Sequence, residues 1–129
     1  MVLSDQYNKT IRHLADAIYV CDEAGFITTY NQAAAELWGR EPLAGKEQYC
    51  GAEKMVAGNG QVILPEQSPV AITLQSSQPA PAAEMIVFRP DGTTRKVVQY
   101  TSPIFDAWGK LTGAINRMVD MTGNPATPA

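Results

Sequence analysis

Apolar positions recur along this chain with two different periods, and the change of period marks its elements. Over residues 4–16 the spacing is helical: Ile11, Leu14, Ala15 and then Ile18 share a face, with Ser4 placed as the N-cap. Ala17 to Cys21 and Phe26 to Tyr30 are β-prone runs, and Asp22-Glu23-Ala24-Gly25 between them reads as a hairpin turn. Asn31 is placed to cap a second helix, NQAAAELWG, which Gly39 ends and Pro42 keeps from resuming. Gly45 to Pro65 shows neither period and carries Gly51, Gly58 and Gly60, which predicts irregular chain. A third helix is predicted over Ser68 to Ser77, with Pro69 in its first turn and Val70, Ile72 and Leu74 pointing inward.

The last third of the chain changes character. Glu84 to Arg89, Arg95 to Phe105 and Leu111 to Met121 read as strands, joined by turns at Pro90-Asp91-Gly92-Thr93 and Asp106-Ala107-Trp108-Gly109. Two strands, a helical middle and three antiparallel strands predict an α+β fold: one five-stranded sheet with short helices packed on one face. Arg117 is not a residue to bury unpaired. Asn116 and Met118 therefore face the core, and Ile115 and Val119 face outward. On the preceding strand the expectation is Tyr100 inward and Val97 outward. An outer face that apolar is not built for water, so a cover is expected: the N-terminal helix or a second copy of the chain.

Composition narrows the class. The chain has 129 residues, enough for one domain with a real core, and 45% hydrophobic against 18% charged residues excludes a disordered chain. With 13 acidic and 10 basic residues the net charge is -3, which argues against nucleic acid as a partner. Asp5, Lys9, Arg12 and Asp16 interrupt the N-terminal segment, so neither a secretory core nor a membrane span is expected, and the reading is a cytoplasmic protein. Cys21, Cys50 and His13 are too few and too scattered for a zinc site, so no metal is expected, and the two cysteines read as reduced thiols.

Asp22, Gly25, Ile27 and Asn31, then Ala34, Leu37, Gly39, Leu43 and Gly45, form an ordered set of motif positions. RPDGT at Arg89 to Thr93, SPIFDAWGKLTG at Ser102 to Gly113 and VDMT at Val119 to Thr122 continue it. Together, over Leu14 to Thr122, they resemble a PAS domain, and NGQVILPEQSPVA with GAINRMVDMT looks like the PAS modules of bacterial sensor histidine kinases. With the helical spacing at the N-terminus and the Gly and Pro after Thr122, the expected division is a helical cap over residues 1–16, the PAS domain over 17–122 and a disordered tail over 123–129. The resemblance implies a pocket beneath the middle helices for a small molecule or cofactor, a homodimer, and a histidine kinase or other effector in cis or in trans. The alternative is a ligand-free dimerisation module.

The cofactor stays unidentified. Flavin photosensors of the family carry a reactive Cys where this chain has Gln48, and Cys50 comes two residues late. Haem-binding members use a His on the middle helices, and residues 31–90 contain none. Ligation of haem iron by the Cys50 thiolate or the Met55 thioether is chemically allowed but not expected. Asp120 and Thr122 match the family's D-x-T ending, although Gly123 and Pro125 disfavour a continuing helix.

Tyr100, Asn116, Met118, Met85, Tyr49 and Met55 are the expected ligand-binding residues: polar groups on late strands, adaptable thioethers and a lid segment. Ile115, Val119 and Val97 are the expected dimer interface. Asn31 and Asp22 read as a helix cap and a turn carboxylate, Trp38 as core and Trp108 as exposed. Asp106 and Asp120 are not placed to share a cleft, so no catalytic residue is expected.

Overall fold

The computed structural model describes residues 16–122. The helix expected over residues 4–16, apart from Asp16, and the tail expected over 123–129 lie outside them. Strand β1 (Ala17–Asp22) and β2 (Ile27–Tyr30) come first, followed by helix α1 (Gln32–Trp38). Then come β3 (Lys54–Ala57), β4 (Val62–Ile63), a 3-10 turn (Pro65–Gln67) and helix α2 (Pro69–Ser76). Three long strands close the fold: β5 (Ala83–Phe88), β6 (Thr94–Phe105) and β7 (Leu111–Asp120).

One antiparallel sheet of seven strands results, in the order β2-β1-β7-β6-β5-β3-β4. Five strands were expected; the β3–β4 hairpin adds two at the β5 edge. Asn59 builds its turn, its side chain accepting the Gln61 N–H at 3.0 Å, with Gly60 at φ 88°. A two-residue strand is too short to show a period, which is why this stretch reads as irregular.

Strand β1 lies between β2 and β7, and five of its six residues are buried in succession. That explains its unbroken apolar run: both faces are covered. Asn31 fastens α1 to it. Its Oδ1 accepts the N–H of Ala34 at 2.9 Å, capping the helix, and that of Ile18 at 3.1 Å, while its Nδ2 donates to the Asp16 carbonyl. Gly39 ends the helix in the left-handed region (φ 71°) and donates to the Ala35 and Glu36 carbonyls. Asp22 accepts two turn N–H groups, from Ala24 and Phe26. Helix α2 buries Val70, Ala71 and Thr73; Ile72, expected inside, is 45% exposed, because the helix turns Thr73 to the sheet instead.

After α1 the chain is held by an ion pair. Arg40 donates to both Glu47 oxygens, at 2.7 and 2.9 Å, and to the Gly51 carbonyl; Glu47 also accepts the Leu43 N–H. The Arg40 donors hold the Glu47 carboxyl below its ordinary range. A depressed folded value gives stability that is present above the unfolded value of about 4.3 and lost as pH falls through the folded one. Glu47→Gln is therefore expected to cost about 1 kcal/mol at neutral pH. Thermal melts should show the gap to wild type closing as the pH is lowered below the unfolded value.

Candidate functional site

The two faces of the sheet are set by strand register. Gln99 stands opposite Met118 and Thr101 opposite Asn116, and all four are buried on the face that α1 and α2 cover. Tyr100 stands opposite Arg117 on the other face. The expectation for β6 was thus displaced by one residue, and Tyr100 and Val97 exchange roles. Val97 is fully buried in the core, opposite Met85, and is not on the outer face. Tyr100 is 43% exposed, with the Arg117 guanidinium 4.6 Å from its ring centre, and does not enter the interior. Gln99, which no apolar pattern selects, takes the inward place.

The inward face carries a connected polar row. Asn116 donates through Nδ2 to Gln99 Oε1 at 2.6 Å and to Tyr19 Oη at 3.0 Å, and its Oδ1 accepts from Thr101 Oγ1 at 3.2 Å. Tyr19 in turn donates to the Tyr49 carbonyl at 2.7 Å. The Gln99 amide nitrogen, 3.2 Å from Met85 Sδ and 3.4 Å from Met55 Sδ, has thioether sulfurs as its partners. These are weak acceptors for a buried amide. Trp38 Nε1 and Thr73 Oγ1, on fully buried residues, have no hydrogen-bond partner among the described residues.

Five of the six expected site residues therefore gather around this row: Asn116, Met118, Met85 and Met55 in the core, and Tyr49 half-buried against it. Sequence reasoning missed Tyr19, Gln99 and Thr101. Gln99 and Thr101 alternate with the residues selected, so a correct β6 register was the signal that could have found them.

Titration in the interior runs toward neutrality. Burial pushes Tyr19 and Cys21 well up and Cys50 up to about 11, so all three are protonated at neutral pH. Such groups donate and accept hydrogen bonds; they do not shuttle protons. Gln48, at the flavin-adduct position, is exposed and donates to the Ala24 carbonyl. Among the described residues no three His, Cys, Asp or Glu side chains converge as a metal set, and no helix is long and apolar enough to cross a membrane.

Two openings flank the core. A groove of about 720 Å³ runs along α1 from Tyr30 to Glu41, and a cleft of about 460 Å³ lies between Leu37 of α1 and the strand ends at Arg95 and Asp120. Met118 lines both the cleft and the core. Near the cleft the D-x-T residues tie down the exit of β7. Asp120 accepts the Thr122 N–H at 2.8 Å, and Thr122 Oγ1 accepts the Lys96 N–H at 2.6 Å.

A family profile described as the PAS fold matches residues 11–124. No curated protein matches the chain. Among solved structures, a PAS domain from Colwellia psychrerythraea is 24% identical with a TM-score of 0.59, covering 91% of this chain and 95% of that one. The PAS domain of Bordetella pertussis BvgS is 22% identical with a TM-score of 0.59, over 93% and 86% of the two chains. VqmA bound to DPO is 17% identical with a TM-score of 0.64, over 91% of this chain and 57% of that one. At these identities the likeness is one of fold.

Proposed function

This chain belongs to the PAS family, and from that premise we propose that it is a non-catalytic sensory module whose interior takes a small neutral molecule. The observation that carries the reading is the Gln99 amide, buried to 1% exposure with thioether sulfurs as acceptors for its nitrogen. A ligand carbonyl or hydroxyl oxygen is a stronger acceptor, and burying one beside Gln99 gains what the sulfurs do not supply. The fold likeness to VqmA bound to DPO supports a small-molecule role. Met118, opposite Gln99 and on the cleft wall, carries displacement toward Asp120 and the exit of β7. The output is a shift between two arrangements of that exit or of a dimer, read by a histidine kinase or another cytoplasmic effector.

The test is a thermal-shift panel of small neutral metabolites bearing carbonyl or hydroxyl acceptors. A true ligand at a hundredfold its Kd is expected to stabilise by about 2.7 kcal/mol. For a domain of this size that raises Tm by roughly 10 °C. Gln99→Leu should abolish the shift. A compound that shifts wild type and Gln99→Leu equally counts against the site.

The outer face supports the dimer in the same proposal. Ile115 and Val119 are half-buried there beside exposed Tyr100 and Ser102. Sedimentation should show a dimer for wild type and a folded monomer for Ser102→Glu, whose exposed position opposite Ile115 spares the core. A strictly monomeric wild type contradicts the dimer.

A further inference from the structure

The interior contains an arrangement that a neutral organic ligand does not require. Three sulfurs from separate segments converge: Cys50 in the loop after α1, Met55 on β3 and Met85 on β5. Cys50 Sγ is 3.5 Å from Met55 Sδ, and both thioether sulfurs contact the one Gln99 amide nitrogen. The Ala52 N–H donates to Cys50 Sγ at 3.3 Å. Met55 and Met85 are buried in the core, and the partly buried Cys50 packs against it.

We infer that Cys50, Met55 and Met85 form a binding site for a soft monovalent cation, Cu(I) or its analogue Ag(I). The inference rests on the proposal that this interior takes a guest. One thiolate and two thioethers are the donor set that selects Cu(I) over harder divalent ions. With metal–sulfur bonds of about 2.3 Å, as in zinc thiolates, two sulfurs on one tetrahedral ion stand ~3.8 Å apart. The Cys50–Met55 pair needs only a small adjustment to meet that spacing. A single thiolate against a single positive charge leaves the site neutral, which a buried position requires. The Ala52 N–H supplies the outer hydrogen bond that orients a ligating sulfur. Each thioether has two lone pairs, so it can ligate and still accept from Gln99. On binding, the Cys50 S–H bond is exchanged for a sulfur–metal bond, the proton passes to solvent, and no oxidation state changes. The sequence expectation of no metal weighed a zinc site of His and Cys, and Cys50 and Met55 as ligands to haem iron, and Met85 was not among those donors.

The test is an anaerobic titration of the purified chain with Cu(I) against a chromophoric Cu(I) chelator, with Ag(I) binding followed by native mass spectrometry. One equivalent is expected, lost in Cys50→Ala, retained in Cys21→Ala, and weakened about tenfold or more by Met55→Leu or Met85→Leu. The methionine variants conserve volume and should keep the wild-type circular dichroism. Absence of one-to-one binding, or wild-type affinity in both methionine variants, overturns the site. Gln99→Leu separates this inference from the organic-ligand reading, because it removes the amide and leaves all three sulfurs. Metal binding that fails beside a Gln99-dependent ligand refutes the cation site alone.

Discussion

Trp38→Ala is expected to cost about 3–5 kcal/mol, the range for emptying a buried aromatic site. Trp38 is fully buried at the last position of α1. Its ring meets Tyr19 edge-on at 5.0 Å and Tyr30 at 6.0 Å, so three aromatic side chains from α1, β1 and β2 share one contact. Gly51 closes the other side: a Cβ there would stand 2.5 Å from the indole. The glycine is thus required by the ring's position, and the chain cannot easily collapse into the vacated space. A domain of ordinary stability holds about 5–15 kcal/mol in total, so the variant should melt roughly 15 °C lower or fail to fold. Trp38→Phe keeps most of the packing and gives up an indole N–H with no partner among the described residues, so it should cost much less. Equal losses in the two variants would mean that the indole nitrogen, not the ring packing, matters.

Asn116→Leu and Gln99→Leu are each expected to cost about 2–3 kcal/mol, because each leaves a buried partner without its hydrogen bond. Removing Asn116 leaves Gln99 Oε1 and Thr101 Oγ1 unmatched; removing Gln99 strands one donor of Asn116. Tyr19 keeps its bond to the Tyr49 carbonyl in both. The double variant removes both ends of the 2.6 Å bond, so its cost should fall below the sum of the singles by about 1–2 kcal/mol. Chemical denaturation of the four proteins measures this coupling. Strict additivity would show that the two amides do not act as a unit.

Most of the fold was legible because its signals are local. Asn31 and Gly39 bracket α1, Asp22 and Asp106 build their turns, and the unbroken run of β1 reflects burial on both faces. The β3–β4 hairpin was not legible, since Val62 and Ile63 are too few to show alternation. The site was half legible. Arg117 correctly set the faces of β7, which put Asn116, Met118, Ile115 and Val119 where they lie. The faces of β6 depend on its pairing with β7, a non-local fact, and residue character pointed the wrong way there. Tyr100 is the better core residue by composition, yet it stays outside beneath Arg117, while Gln99 goes in because Asn116 satisfies it. A buried glutamine is explained by its partners, and partners from other strands are what a linear reading cannot see.

The proposed function turns on whether the interior around Gln99 takes a small molecule. Native mass spectrometry of the freshly purified protein beside Gln99→Leu tests it most directly. The expected result is a reproducible mass excess on wild type that vanishes on denaturation and is missing from the folded variant. An identical excess on both proteins, or a bare polypeptide mass on wild type even after incubation with a cell metabolite extract, would contradict it.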